Sequence, residues 1–165
     1  MTLPYIKCPA SLTSLSTMKE KSLIKERNTF LKTLRRELKA KILIERASRV
    51  KLLHQGALQT KCPICQNLVS DGSMHEWLIT RGDVRGSPFE WQLQIYVPWN
   101  VVIVHEGQCH RAAQWGLSGM LACMRDITPH YTQAEVLTWL DNISSMITAA
   151  SEVRHWVEEA WNHAE

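Results

Sequence analysis

The stretch Asn100-Val101-Val102-Ile103-Val104-His105-Glu106-Gly107-Gln108-Cys109-His110 decides how this chain is read. Four consecutive β-branched residues favour a short buried strand, because branched side chains pack well on a pleated surface. A His stands at the end of that run and a Cys follows four positions later, with Gly107 between them. A glycine in so short a segment predicts a tight turn that brings an imidazole and a thiol together. His110 follows at once, and residues 110–115 read as the opening of a helix.

Working upstream, Cys62-Pro63-Ile64-Cys65 is a second short pair. Two cysteines with two residues between them can present two thiolates to one tetrahedral ion. Such a pair alone is a weak signal. Joined to His105 and Cys109, a second close pair, it gives a Cys₃His set whose ligand types suit a structural zinc site. The plainer alternative is four unrelated side chains. The chain has five cysteines, an odd count. Three of them, Cys62, Cys65 and Cys109, fall near motif histidines, which fits metal binding in a reducing compartment better than a disulfide framework, so an intracellular, cytoplasmic setting is expected. Cys8 and Cys123 have no partner pattern, and Cys123 reads as a buried thiol.

Between the two pairs lie turn formers at 70–73, then Met74-His75-Glu76 and a glycine-containing loop over 81–88 that carries Arg81 and Arg85. Residues 74–79 and 92–97 read as extended pieces.

The order Cys-Cys, His75, Asn100, Cys-His resembles the HNH nuclease superfamily, over about residues 60–115. The resemblance implies an α+β fold built on a small ββα-metal (treble-clef) zinc core. It implies a metal-dependent endonuclease that hydrolyses phosphodiester bonds, DNA more than RNA. His75 takes the general-base role, His110 binds a catalytic divalent cation such as Mg²⁺, and Asn100 supports the site. A neutral imidazole can take a proton from water near pH 7. One departure is Met74, a poor ligand for a hard cation, where the family carries a His or Asp. Two alignments follow. Either His75 is the base and Glu76 replaces the missing cation ligand, or His75 is a ligand and Glu76 is the base. Arg81 and Arg85 could contact phosphate as bidentate donors, or simply decorate a solvated hairpin loop.

The flanks carry no resemblance. Residues 1–17, with Pro4 and Pro9, read as a loose lead-in. Residues 18–56 read as a basic amphipathic helix through about residue 53, ending near Gly56, with Leu31, Leu34, Leu38 and Ile42 at helical spacing. Residues 19–51 hold twelve Lys/Arg against four Asp/Glu, whereas residues 52–165 hold six against twelve. That asymmetry suits contact with a polyanion, through Lys32, Arg35, Arg36 and Lys39. The plainer expectation is that the helix docks its apolar stripe on the core, on a protein partner or on a second copy, with its charges solvated. Residues 116–165 read as a helical extension, with a capping box at Thr132-Gln-Ala-Glu135 and Ser151 as a cap for the last helix. His54, His130, His155 and His163 read as structural or surface groups. No apolar run reaches the roughly twenty residues that span a bilayer. The reading from a different class is a zinc-stabilised module that binds nucleic acid or protein without turnover.

Overall fold

The structure is a computed structural model, and it describes residues 6–13, 20–47, 58–69, 71–114 and 116–164. In chain order its elements are α1 (Ala10–Thr13), α2 (Glu20–Arg46), β1 (Thr60–Lys61), β2 (Leu68–Val69), β3 (Ser73–Glu76), α3 (Phe89–Gln92), β4 (Val101–Val104), α4 (Gln108–Gln114), α5 (Gly116–Ile127), α6 (Gln133–Ile143) and α7 (Ala149–Ala160). Tight 3₁₀ turns cover Leu93–Ile95, Pro98–Asn100 and Trp161–His163. The class is α+β, as expected: small antiparallel sheets, a long N-terminal helix and a helical C-terminal part.

β3 and β4 pair antiparallel, with Met74 opposite Ile103, His75 opposite Val102 and Glu76 opposite Val101. All four residues of β4 are buried, which is why the strand reads as an unbroken apolar run rather than an alternating one. α4 packs against both strands and completes a ββα unit. Beside it β1 and β2 make a two-residue hairpin with Thr60 opposite Val69. Gly72 lies where this hairpin meets the larger sheet. A Cβ built on it would stand 2.3 Å from the Val104 carbonyl oxygen, so only glycine lets the two backbones approach so closely.

α2 lies against this core. Leu23, Leu38 and Ile42 are buried and Leu31 and Leu34 half-buried, so the stripe seen in the sequence docks on the domain itself. Arg46 closes the contact. It is 5% exposed and donates to the Val101 carbonyl at 2.9 Å, to the Pro98 carbonyl, and to Asp126 of α5 at 3.1 Å. Gly56 and the expected end of the helix near residue 53 lie outside the described residues.

Within the described part of the lead-in, residues 6–13, α1 places Leu12 in a small apolar cluster with Leu23, Phe89 and Leu93. Residues 92–97 are not extended. They continue α3 into a 3₁₀ turn that buries Leu93, Gln94 and Ile95. The Gln94 side chain ties this turn to the N-terminal segment, accepting from Ile6 N–H and donating to the Ile6 carbonyl, and it also donates to the Glu90 carbonyl. The Thr132–Glu135 capping box forms in full. Ser151 lies inside α7 rather than capping it, because the helix begins two residues earlier, at Ala149. Among the described residues no helix is long and apolar enough to cross a membrane.

Candidate metal centre and adjoining cleft

The two ligand pairs come together. One donor atom from each of Cys62, Cys65, His105 and Cys109 lies within 4.8 Å of the other three, so the four could hold a metal ion such as zinc. Sulfur atoms on a tetrahedral zinc with Zn–S near 2.3 Å stand roughly 3.8 Å apart, which this spread accommodates. Local backbone explains the convergence. The Cys62 carbonyl accepts from Gln66 N–H and the Cys62 N–H donates to the Asn67 carbonyl, closing the first turn at a left-handed Gln66 (φ 61°). Gly107, at φ 77°, turns the second pair. His110 N–H then bonds the His105 carbonyl and starts α4.

His105 is held in the tautomer a metal needs. Its Nε2 lies 3.2 Å from the Leu68 carbonyl oxygen and its Nδ1 3.3 Å from Cys65 Sγ. A carbonyl can only accept, so Nε2 carries the proton and Nδ1 offers its lone pair to the thiol side. The Cys65 thiol is lowered, first by a backbone hydrogen bond from Asn67. Cys109 is pushed up to about 11 by burial and by the neighbouring sulfurs of Cys65 and Cys62. Crowded thiols with opposed shifts are what a cation relieves, since it favours every thiolate at once.

Next to this cluster, β3 and α4 bring His75 and His110 together, ring centroids 5.2 Å apart and nearly perpendicular. His75 is 5% exposed. Burial holds its imidazole down at about 4, the nearby His110 adds to the effect, and a hydrogen bond to the Ala113 carbonyl opposes it. The ring is therefore neutral at pH 7, with one nitrogen protonated and the other a lone pair.

Asn100 is fully buried and uses its whole amide. Its Oδ1 accepts from Leu78 and Ile79 N–H, each at 3.0 Å, and its Nδ2 donates to the Ile79 and Ile95 carbonyls, each at 2.8 Å. It thus clamps the segment that leaves β3 just after Glu76. Asp83 pins the next few residues by accepting from Thr80 N–H and Oγ1 at 2.7 Å. The result is a built loop that carries Arg81 and Arg85 to the rim of a cleft of about 930 Å³ lined also by His75, Glu76, Tyr96 and His110.

β3 alternation separates the two candidate acid–base groups. His75 meets α4, whereas Glu76 meets arginines: Arg81 Nε at 3.3 Å and Arg35 Nη2 of α2 at 3.8 Å. Lys32, Arg35, Arg36 and Lys39 line a second groove of about 500 Å³ along α2 with Met74, Tyr96 and Arg81. Lys39 is partly engaged, donating to the Gly72 carbonyl at 2.8 Å. Cys123 is buried, and desolvation pushes its thiol up to about 12.

The Leu68, Ala113 and Tyr96 contributions were invisible to the sequence. Two are main-chain carbonyls, and Tyr96 sits in a stretch whose pattern suggested a strand. No family model, no curated protein and no solved structure matches the chain.

Proposed function

We propose that the chain is an HNH-type endonuclease that hydrolyses nucleic-acid phosphodiester bonds, DNA more than RNA, with zinc in the Cys₃His cluster as a structural ion. The observation that carries the proposal is the His75–His110 pair: a buried neutral imidazole edge to face with a second imidazole, both lining an arginine-rimmed cleft beside the cluster. A protein in which the metal served the fold alone would have no use for that pair or for the loop braced by Asn100. In the proposed reaction a water oxygen attacks phosphorus while His75 accepts the water proton. The bond from phosphorus to the departing sugar oxygen breaks, and that oxygen takes its proton from solvent. Arg81 neutralises the non-bridging oxygens, as a planar guanidinium does for phosphate.

The resemblance also implies a divalent cation on His110. The side chains do not by themselves make a hard-cation site. Among the described residues the Cys₃His set is the one convergent group of three or more His, Cys, Asp or Glu donors, and Glu76, the carboxylate of the cleft, is engaged by two arginines. One observation favours the second reading, a binding module without turnover: among the described residues the carboxylate of the cleft, Glu76, is paired with two arginines.

The deciding experiment is incubation of the purified protein with supercoiled plasmid, with and without Mg²⁺ or Mn²⁺, beside His75→Ala. Cleavage by the wild type that is lost in a folded His75→Ala supports the hydrolase. Equal cleavage by the variant, from a nuclease-free preparation, overturns the assigned base. Binding without cleavage under every condition favours the module.

A further inference from the structure

Glu76 is 4% exposed, yet no hydrogen bond reaches its Oε1. Arg35 Nε is buried and unpartnered in the same place. A buried carboxylate is costly unless cations hold it, and here two arginines do. The arginines come from different elements, Arg35 from α2 and Arg81 from the loop after β3. Arg81 is ion-paired to Glu76 through Nε at 3.3 Å and its side chain is 56% exposed, which leaves its terminal Nη pair available. Two guanidinium groups against one carboxylate leave a local excess of positive charge. Tyr96 and Arg81, with Leu31, line both the His75/His110 cleft and the α2 groove, so the two cavities meet at this trio. Beyond it the groove offers Lys32 and Arg36 on α2, followed by Lys39, which is held by the Gly72 carbonyl at 2.8 Å and by Asp71 at 3.6 Å.

We propose that Glu76 is a positioning carboxylate that sets Arg35 and Arg81 as a phosphate clamp where the cleft meets the α2 groove, so that a nucleic-acid backbone runs from one into the other. The clamp rests on the hydrolase reading only for the identity of the polyanion. A phosphodiester backbone is the occupant because its charges repeat along a line, as the cationic groups do here, and because guanidinium forks match phosphate oxygens. This gives Glu76 a role that is neither base nor cation ligand. It acts through the arginines it orients.

The sign of one substitution tests the idea. Glu76→Gln removes a negative charge from a site for a polyanion. If charge alone mattered, binding would tighten. If Glu76 orients the clamp, binding weakens although the site has become more positive. The probe is a fluorescein-labelled DNA duplex, followed by anisotropy in buffer without divalent cations, across a salt series. The same duplex with uncharged methylphosphonate linkages serves as control. The expected result is a Kd about fivefold weaker for Glu76→Gln, with the salt slope reduced by about one phosphate contact. Because Glu76→Gln could unfold the core, Arg81→Lys is measured as well. It keeps the charge on an exposed side chain but removes the fork, and a similar loss is expected. Weakening in both variants, together with poor binding of the uncharged duplex, supports the clamp even if the protein cleaves nothing. Unchanged or tighter binding by a folded Glu76→Gln overturns it. Wild-type affinity in Arg81→Lys overturns it equally, even if the protein cleaves plasmid.

Discussion

The imidazoles of His75 and His110 stand edge to face, 5.2 Å between centroids, one carried by β3 and the other by the first turns of α4. The burial of His75, to which His110 adds, has a thermodynamic consequence. His75 is neutral in the folded protein down to about pH 4, against an ordinary value of 6.5. Between those values the unfolded chain binds a proton that the folded chain refuses. Stability therefore rises with pH across that window, is fully present above 6.5, and is lost as pH falls toward 4. The shift corresponds to a loss on the order of 3 kcal/mol. Urea unfolding of wild type and His75→Gln at a series of pH values checks this. The difference between them should shrink or reverse as the medium is acidified. A pH-independent difference would show that His75 titrates normally.

A zinc ion in the Cys₃His cluster would tie the Cys62–Cys65 turn to His105 at the end of β4 and to Cys109 in the first turn of α4. Purified protein is expected to carry about one zinc per chain. Chelation or Cys62→Ser should lower Tm by ten degrees or more, on the order expected when a structural site worth several kcal/mol is removed. Cys8→Ser and Cys123→Ser should leave the zinc content unchanged. Metal-free protein with wild-type Tm would end the assignment.

Much of this was readable from residues alone, and the rest was hidden for physical reasons. β4 and the glycine turn follow from a β-branched run and one Gly, both local signals. The convergence of Cys62 and Cys65 with His105 and Cys109 is long-range, but ligand chemistry announces it. The apolar stripe of α2 was plain through Ile42. Its continuation at Arg46 was not, because a charge on an apolar stripe usually marks its end rather than a buried anchor. The segment 92–97 misled because short apolar runs do not distinguish a strand from a buried turn. The fate of Glu76 depended on α2, distant in sequence, and no local pattern encodes that meeting.

Gly72→Ala tests the packing of the two sheets. The added methyl would lie 2.3 Å from the Val104 carbonyl oxygen and 2.6 Å from Val69 Cγ2. Both are in the core and cannot move away cheaply. A loss of about 2–3 kcal/mol is expected, as for other overpacked interiors. Gly86→Ala should cost less, about 1 kcal/mol, since its neighbourhood is open and only its positive φ of 83° is strained. Equal costs in chemical denaturation would mean that the sheets are not in the close contact described.

Asn100 offers the sharpest test of how the loop is held. Its Oδ1 faces two N–H donors and its Nδ2 faces two carbonyls, so the amide orientation is fixed by its partners. Asn100→Ala abandons all four hydrogen bonds in a dry site and should cost about 3–5 kcal/mol. Asn100→Asp keeps the shape but turns an acceptor toward the Ile79 and Ile95 carbonyls. Its carboxyl would be buried among acceptors, so its folded-state pKa should lie above the unfolded value. The sign follows from that. The protonated form can still donate to one carbonyl, so relative stability is best below the ordinary carboxyl range and is lost as pH rises through the raised value. Measured against wild type at each pH, Asn100→Asp should therefore be least damaging in acid and most damaging near neutrality. His75→Gln behaves in the opposite sense, since the wild-type His75 is the group that weakens the fold in acid. Turnover, if the hydrolase reading holds, should fall in Asn100→Asp at neutral pH even where protein remains folded, because Arg81 rides on the segment that the amide clamps. A penalty for Asn100→Asp that stays constant between pH 4 and 8 would show that the side chain reaches water and is not the brace described.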